Sequence, residues 1–94
     1  MEIKKVAVIG AGTMGNGITQ AFAASGYAVV MCDVSEQAVR RGLDTISKSL
    51  ERMLAKQKIA AAEKDAALAR VRGATELNAC AEADIVVEAA TENE

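Results

Sequence analysis

The chain has 94 residues, of which 51% are hydrophobic and 26% charged, and its formal net charge is −2. This length is enough for one small domain, and the composition is ordinary for a globular protein. The charge balance, with no basic patch interleaved with aromatics, argues against a nucleic-acid partner. No apolar run reaches the ~20 residues that span a bilayer, which argues against a membrane partner.

The two cysteines and the missing histidine limit the chemistry further. Cys32 and Cys80 lie among apolar or small residues without a second pair, which favours buried thiols in a reducing cytoplasm over a disulfide or a metal site. The N-terminus lacks the apolar segment of a signal peptide, so we expect a cytoplasmic protein. The chain has no histidine, the side chain that most often transfers protons near neutral pH. We therefore expect no catalytic residue and no metal ligand among these residues.

The first half of the chain predicts two strands around one helix. Ile3–Ile9 is the first strand, and its apolar end is typical of a parallel strand covered on both faces. A helix is predicted over Thr13–Ser25 and a second strand over Tyr27–Cys32. The apolar face expected for the helix recurs at helical spacing. It consists of Met14, Ile18, Ala21, Phe22 and Ser25.

The turn between the first strand and the helix carries a Gly-x-Gly-x-x-Gly motif at Gly10, Gly12 and Gly15. Gly10 allows the tight turn, Gly12 lets the backbone approach a pyrophosphate, and Gly15 lets the helix pack close to the strand. The helix N-terminus offers N–H groups to the phosphates. Asp33, at the tip of the second strand, can accept both hydroxyls of an adenosine ribose and repel a 2′-phosphate. The pattern predicts an NAD site; the alternative is a turn that its glycines serve only structurally.

A long helical segment follows the second strand. Ser35 is a candidate N-cap, and we predict helices over Glu36–Lys58 and Ala60–Val71. The first has an apolar stripe of Val39, Leu43, Ile46, Leu50, Met53 and Leu54. Because a minimal dinucleotide fold has one short crossover helix here, this helical hairpin is an insert. It either packs in the core or extends over a ligand.

The last part predicts two more strands, Val71–Ala74 and Ile85–Ala90, joined by a brief helical connection over Thr75–Ala83. Right-handed crossovers then give a Rossmann-like α/β sheet in the order 3-2-1-4. The cleft between strands 1 and 4 is the place where such folds bind nucleotides. Strand 4 is an uncovered edge, so we expect residues 1–94 to be the front part of an incomplete domain in a longer enzyme.

The sequence resembles the N-terminal NAD-binding domain of the 3-hydroxyacyl-CoA dehydrogenases, particularly the short bacterial 3-hydroxybutyryl-CoA dehydrogenases. The resemblance rests on the segment from Val8 to Ile18, on Asp33, on the helical insert, and on the segment from Asp84 to Asn93. That last segment discriminates best, because generic NAD domains share the glycines but seldom an acid and Asn directly after strand 4.

The resemblance implies roles residue by residue. The cofactor-binding residues would be Ile9, Gly10, Gly12, Thr13, Met14, Gly15, Asp33, Ala89, Ala90 and Glu92. Glu92 matches the family acid at the nicotinamide end; alternatively it is an acid favoured by a helix start. Ser49 and Lys56 match positions that contact the coenzyme A part of the substrate. Seven residues apart, they fall near one helix face, which could also be merely solvated.

The family's activity is the oxidation of an (S)-3-hydroxyacyl-CoA to the 3-oxoacyl-CoA with NAD. Its catalytic histidine, and the helical C-terminal domain that forms its homodimer, correspond to sequence beyond residue 94. We therefore expect residues 1–94 alone to lack dehydrogenase activity. Two alternatives are a non-catalytic NAD-binding module or truncated fragment, and another NAD-dependent hydroxyacid dehydrogenase.

Overall fold

Four parallel strands form the sheet of this computed structural model, which describes residues 4–89. They are β1 (Lys5–Ile9), β2 (Ala28–Cys32), β3 (Val71–Ala74) and β4 (Ile85–Glu88). Their order is β3-β2-β1-β4, and every neighbouring pair is parallel. The predicted Rossmann-like sheet and its strand order are confirmed.

Three α-helices and one short 3-10 helix connect the strands. They are α1 (Thr13–Ala24), α2 (Glu36–Ala55), α3 (Ala61–Ala69) and the 3-10 helix (Leu77–Cys80). All the predicted elements exist, but several are shorter than predicted. The connection over 75–83 contains only the four-residue 3-10 helix, and β4 ends at Glu88, whereas its predicted end, Ala90, lies outside the described residues. None of the helices within residues 4–89 is long and apolar enough to cross a membrane.

The hydrophobic core lies between the sheet and the three α-helices. Val6 and Val8 of β1 pair in register with Val29 and Met31 of β2, and all four side chains are buried in one cluster. Because successive side chains in a strand point to opposite faces, the intervening residues face the other side of the sheet. Cys32 is on that second face, which the 3-10 helix approaches.

The buried face of α1 is not the apolar stripe that the sequence predicts. Its buried residues are Gly15, Thr19 and Ala23, while Met14 is 47% exposed. Of the predicted stripe, Ile18 and Phe22 are only partly buried against the core. Small residues face the sheet because α1 packs too closely for larger ones. The buried Thr19 hydroxyl donates to the Gly15 carbonyl at 2.8 Å, so no polar group is left unsatisfied there.

The closest contact of α1 is with the turn after β1. A Cβ atom on Gly15 would lie 1.8 Å from the Gly10 carbonyl oxygen and 2.7 Å from the carbonyl carbon. These are backbone atoms, so no side-chain rotation relieves the clash. Gly10 itself has φ = 110°, a conformation that glycine adopts without steric cost. The backbone geometry by itself therefore requires glycine at both Gly10 and Gly15.

The helical insert forms a hairpin, as predicted, and the apolar stripe of its first helix packs into the core. Ser35 caps α2 by accepting a hydrogen bond from the Ala38 N–H at 3.1 Å. The buried residues of α2 include Val39, Ile46 and Leu50. An ion pair of 3.7 Å between Lys64 of α3 and Glu51 of α2 joins the two helices.

The predicted end of α2 at Lys58 is wrong, since the helix ends at Ala55. Gln57 adopts a positive φ of 62°, and the Lys58 N–H bonds back to the Met53 carbonyl at 2.8 Å. This is a left-handed C-terminal cap. Glycine usually occupies such a cap, so a glutamine at this position gives no sequence signal for the end of the helix.

At the amino ends of the strands, Asp84 joins β4 to β1. Its carboxylate accepts hydrogen bonds from the backbone N–H groups of Lys4 and Lys5 at 2.8 and 3.0 Å. These two bonds lower the pKa of the Asp84 carboxyl below its usual value. The contribution of Asp84 to stability is therefore present at neutral pH and is lost as the pH falls through the lowered pKa.

We expect Gly15→Ala to destabilise the protein by about 2–4 kcal/mol, because the new Cβ forces the backbone of α1 away from Gly10. Gly17→Ala is the matched control on the same helix, since its Cβ would meet no atom within 4 Å. That variant should gain about 0.5–1 kcal/mol from its better helix propensity. Urea unfolding measures the change in the free energy of unfolding for both variants. Equal changes for the two substitutions would contradict the close contact between Gly15 and Gly10.

We expect Gln57→Gly to raise the free energy of unfolding by about 0.5–1 kcal/mol, because glycine removes the steric cost of the left-handed conformation. Gln57→Ala keeps that cost and should stay within about 0.5 kcal/mol of the wild type. The same urea titration distinguishes them. A glycine variant no more stable than the alanine variant would show that Gln57 is not strained.

Candidate functional site

The carboxyl ends of β1, β2 and β4 meet at the glycine turn. The Gly10 N–H donates to the Cys32 carbonyl at 2.6 Å, and the Ala89 N–H donates to the Ile9 carbonyl at 2.8 Å. The Cβ position of Gly15 is 3.8 Å from the Ala89 Cβ. The structure thus brings together four of the predicted site residues, Ile9, Gly10, Gly15 and Ala89, at the switch point of the sheet.

Asp33 lies beside this turn, and backbone groups hold its carboxylate. Oδ2 accepts a hydrogen bond from the Ala11 N–H at 3.0 Å, and Oδ1 accepts one from the Ser35 N–H at 3.0 Å. The Asp33 N–H donates to the Ala74 carbonyl at 3.1 Å, which fixes the backbone as well. The side chain is half-buried, so part of the carboxylate faces solvent. The sequence predicts the acid, but not the two N–H donors that orient it.

The N-terminus of α1 opens onto the same edge. Gly12 is the N-cap in an extended conformation (φ = −77°, ψ = −164°) and has no side chain that could cap the helix. The first turn of α1 contains no acidic residue. Gly12, Thr13 and Met14 are all exposed. The positive end of the helix dipole is therefore accessible to an anion and is not neutralised by a carboxylate within that turn.

These features together fit a dinucleotide. A helix N-terminus with glycine at its N-cap suits a pyrophosphate, and a fixed carboxylate at the end of the next strand suits a ribose diol. A separate cavity of about 340 Å³ is lined by residues such as Lys5, Val29 and Arg72. It lies toward the amino ends of the strands, whereas open α/β sheets bind nucleotides at the carboxyl ends, so this cavity is not the candidate site.

The other predicted site residues are distributed differently. Ala90 and Glu92 lie outside the described residues. Ser49 is half-buried on α2, and Lys56 is exposed at its C-cap. With a rise of 1.5 Å per residue, they lie about 20 and 30 Å along α2 from its start near Asp33. The structure therefore does not bring Ser49 or Lys56 to the glycine turn.

One close pair of side chains has no signal in the sequence. The Sγ atoms of Cys32 and Cys80 are 3.1 Å apart, although the residues are 48 positions apart in the chain. Both cysteines are free; Cys32 is buried as predicted, and Cys80 is half-buried. Burial, together with the hydrogen bond and the charge interaction with Cys80, raises the pKa of the Cys32 thiol to about 12. No local residue pattern predicts this contact, because it arises only when the strands assemble.

Comparisons with known proteins agree with this geometry. The profile of the family described as "3-hydroxyacyl-CoA dehydrogenase, NAD binding domain" matches residues 5–94. A 3-hydroxybutyryl-CoA dehydrogenase from Bradyrhizobium diazoefficiens is 44% identical over 92 residues, which are 98% of this chain and 31% of that protein. A 3-hydroxyadipyl-CoA dehydrogenase from Escherichia coli is 38% identical over 98% of this chain and 19% of its own length.

The solved structures show the same relationship. The crystal structure of (S)-3-hydroxybutyryl-CoA dehydrogenase PaaH1 from Ralstonia eutropha superposes with a TM-score of 0.93 at 49% identity, covering 99% of this chain and 33% of that one. The chain thus spans a third or less of the length of these relatives. The resemblance seen in the sequence is confirmed, and the alternative of another hydroxyacid dehydrogenase family is set aside. The chain belongs to the NAD-binding domain family of the 3-hydroxyacyl-CoA dehydrogenases, and its cofactor is NAD.

Proposed function

We propose that residues 1–94 form the cofactor-binding part of an enzyme that oxidises an (S)-3-hydroxyacyl-CoA to the 3-oxoacyl-CoA. The observation that carries the proposal is the Asp33 carboxylate, held by the Ala11 and Ser35 N–H groups beside the glycine turn. The names of the relatives support the substrate class, because they act on 3-hydroxybutyryl-CoA and 3-hydroxyadipyl-CoA.

In this proposal Asp33 recognises the adenosine ribose. An ionised carboxylate offers about four lone-pair sites, of which the two backbone N–H groups take two. The remaining sites can accept the 2′- and 3′-hydroxyls of the ribose. Because the carboxylate is already oriented, binding costs little side-chain entropy. A 2′-phosphate would bring a second negative charge against Asp33, so the site favours NAD over NADP.

The glycine turn and the start of α1 would hold the pyrophosphate. Gly12 presents no side chain there, and Gly12, Thr13 and Met14 are all exposed. Ile9, Gly10 and Gly15 would form the floor beneath the phosphates. The helix dipole and the first-turn N–H groups then offset the phosphate charge without a cationic side chain.

Ala89, Ala90 and Glu92 would hold the nicotinamide end. NAD held there would supply the hydride acceptor. Since the 94 residues contain no histidine, the group that takes the hydroxyl proton belongs to another part of the enzyme. The family resemblance supports a helical C-terminal domain for that part and a homodimer formed through it. The free thiols of Cys32 and Cys80 support a location in the reducing cytoplasm.

The far end of the helical insert would contact the coenzyme A moiety. Lys56 is exposed at the C-cap of α2, where its ammonium can meet a phosphate as a point charge. Ser49, seven residues earlier, lies near the same face and can donate a hydroxyl hydrogen bond. A coenzyme A contact is compatible with the core packing of α2, because the residues that point into the core are Val39, Ile46 and Leu50.

We expect Asp33→Asn in the full-length enzyme to weaken NAD binding at least about 10-fold, because each lost charge-assisted hydrogen bond is worth roughly 1.5–3 kcal/mol. NADP binding should not weaken, so the preference for NAD shrinks. Asp44→Asn changes the net charge equally on the exposed side of α2 and should leave both affinities unchanged. Calorimetry on the wild type and both variants measures all six affinities, and wild-type enzyme that binds NADP as tightly as NAD would contradict the proposal.

We expect Lys56→Ala to raise the KM for acyl-CoA up to about 5-fold, the equivalent of ~1 kcal/mol for an exposed ion pair, while the KM for NAD stays unchanged. Lys58→Ala, two residues away and also exposed, is the control for a general loss of positive charge. Steady-state kinetics of the full-length enzyme separate the two constants. If both constants move together, or if Lys58→Ala has the same effect, the insert does not recognise coenzyme A through Lys56.

A further inference from the structure

The two cysteines of the chain form a close pair at the carboxyl end of β2. Cys32 is the last residue of β2 and is 1% exposed, whereas Cys80 ends the 3-10 helix and is half-buried. Their sulfur atoms are 3.1 Å apart. The proposed binding of NAD and substrate uses neither thiol. The pair therefore has no role in the function described above.

The surrounding backbone determines which cysteine can move. A disulfide bond is about 2.05 Å long, so the sulfurs must approach by roughly 1 Å. Cys32 pairs with Ile9 on one side and Ala74 on the other, and its carbonyl accepts the Gly10 N–H at 2.6 Å. Cys80 belongs to a four-residue 3-10 helix outside the sheet. We therefore expect the Cys80 sulfur to move toward Cys32, while the end of β2 stays in place.

We propose that Cys32 and Cys80 are a reversible redox modification site, which a peroxide converts to an intramolecular disulfide. Cys80 reacts first because it is the less buried of the two cysteines. It loses its proton and attacks one peroxide oxygen; an S–O bond forms, the O–O bond breaks, and the leaving hydroxide takes a proton to become water. This step gives a sulfenic acid on Cys80.

Cys32 completes the reaction. Its sulfur attacks the Cys80 sulfur, the S–S bond forms, the S–O bond breaks, and the thiol proton of Cys32 leaves with the hydroxide as a second water. In sum, two thiols and one hydrogen peroxide give one disulfide and two waters. Burial and Cys80 raise the pKa of Cys32 to about 12, which keeps Cys32 protonated and leaves the first attack to Cys80. A dithiol reductant reverses the reaction by exchange.

The product links β2 to the connection between β3 and β4. It closes a loop across 48 positions of sequence, which restricts the unfolded chain and stabilises the folded one. Because Cys32 and its hydrogen bond to Gly10 do not move, Asp33 keeps its position beside the turn. Oxidation therefore stabilises the domain without removing its nucleotide affinity.

The test is mass spectrometry of the full-length protein after brief treatment with hydrogen peroxide, alkylation of the remaining thiols under denaturing conditions, and digestion with trypsin without reduction. Cleavage after Lys5, Arg40 and Arg72 separates the two cysteines. We expect residues 6–40 linked to the peptide that begins at Gly73, about 2 Da lighter than the two free peptides together. The thermal midpoint should rise by about 5 °C or more and return on adding dithiothreitol.

Cys80→Ser is the control, since it leaves the buried Cys32 untouched and should show neither the linked peptide nor the thermal shift. The affinity for NAD, measured by calorimetry, should agree within about twofold between the oxidised and reduced wild type, because the end of β2 does not move. Recovery of both wild-type peptides in alkylated form overturns the proposal, as does sulfinic acid on Cys80 beside alkylated Cys32. These readings come from the wild type and stand even if the variant does not fold.

Discussion

The contact between α1 and the turn after β1 determines how the rest of the site is built. Gly15 lies so close to the Gly10 carbonyl that no Cβ fits between them. Because the helix backbone sits directly on the turn, the residues that face the sheet must be small, which explains the buried series Gly15, Thr19 and Ala23. The same closeness leaves the N-terminus of α1 at the carboxyl edge of the sheet, where its dipole would favour an anion.

Two hydrogen bonds then connect this turn to the end of β2. The Gly10 N–H bonds to the Cys32 carbonyl, and the Ala11 N–H bonds to the Asp33 carboxylate. They fix the distance between the phosphate-binding end of the site and the acid proposed for the ribose. Both ends are thus preorganised by backbone groups, so the nucleotide need not order long side chains on binding. In the proposed function, the preference of the site for NAD over NADP would then depend on the charge of the Asp33 carboxylate.

Features with a local signature are predictable from the sequence. Apolar runs predict three of the four strands, β1, β2 and β4, and the glycine motif together with Asp33 predicts the candidate site. The face of α1 is predicted wrongly because periodicity favours large apolar residues such as Met14, whereas close packing selects small ones. The end of α2 is predicted too late because Gln57 adopts a conformation that usually requires glycine. The Cys32–Cys80 contact depends on the tertiary fold alone.

The helical insert connects the two ends of the proposed substrate complex. Its stripe from Val39 to Leu50 is buried, so α2 is part of the core and not a mobile arm. Ser35 caps α2 through its side chain and donates its N–H to Asp33, so the helix begins at the proposed ribose acid. Its other end, about 30 Å away, presents Lys56. A coenzyme A contact there would be made by an element already fixed at the cofactor end, with little ordering entropy to overcome.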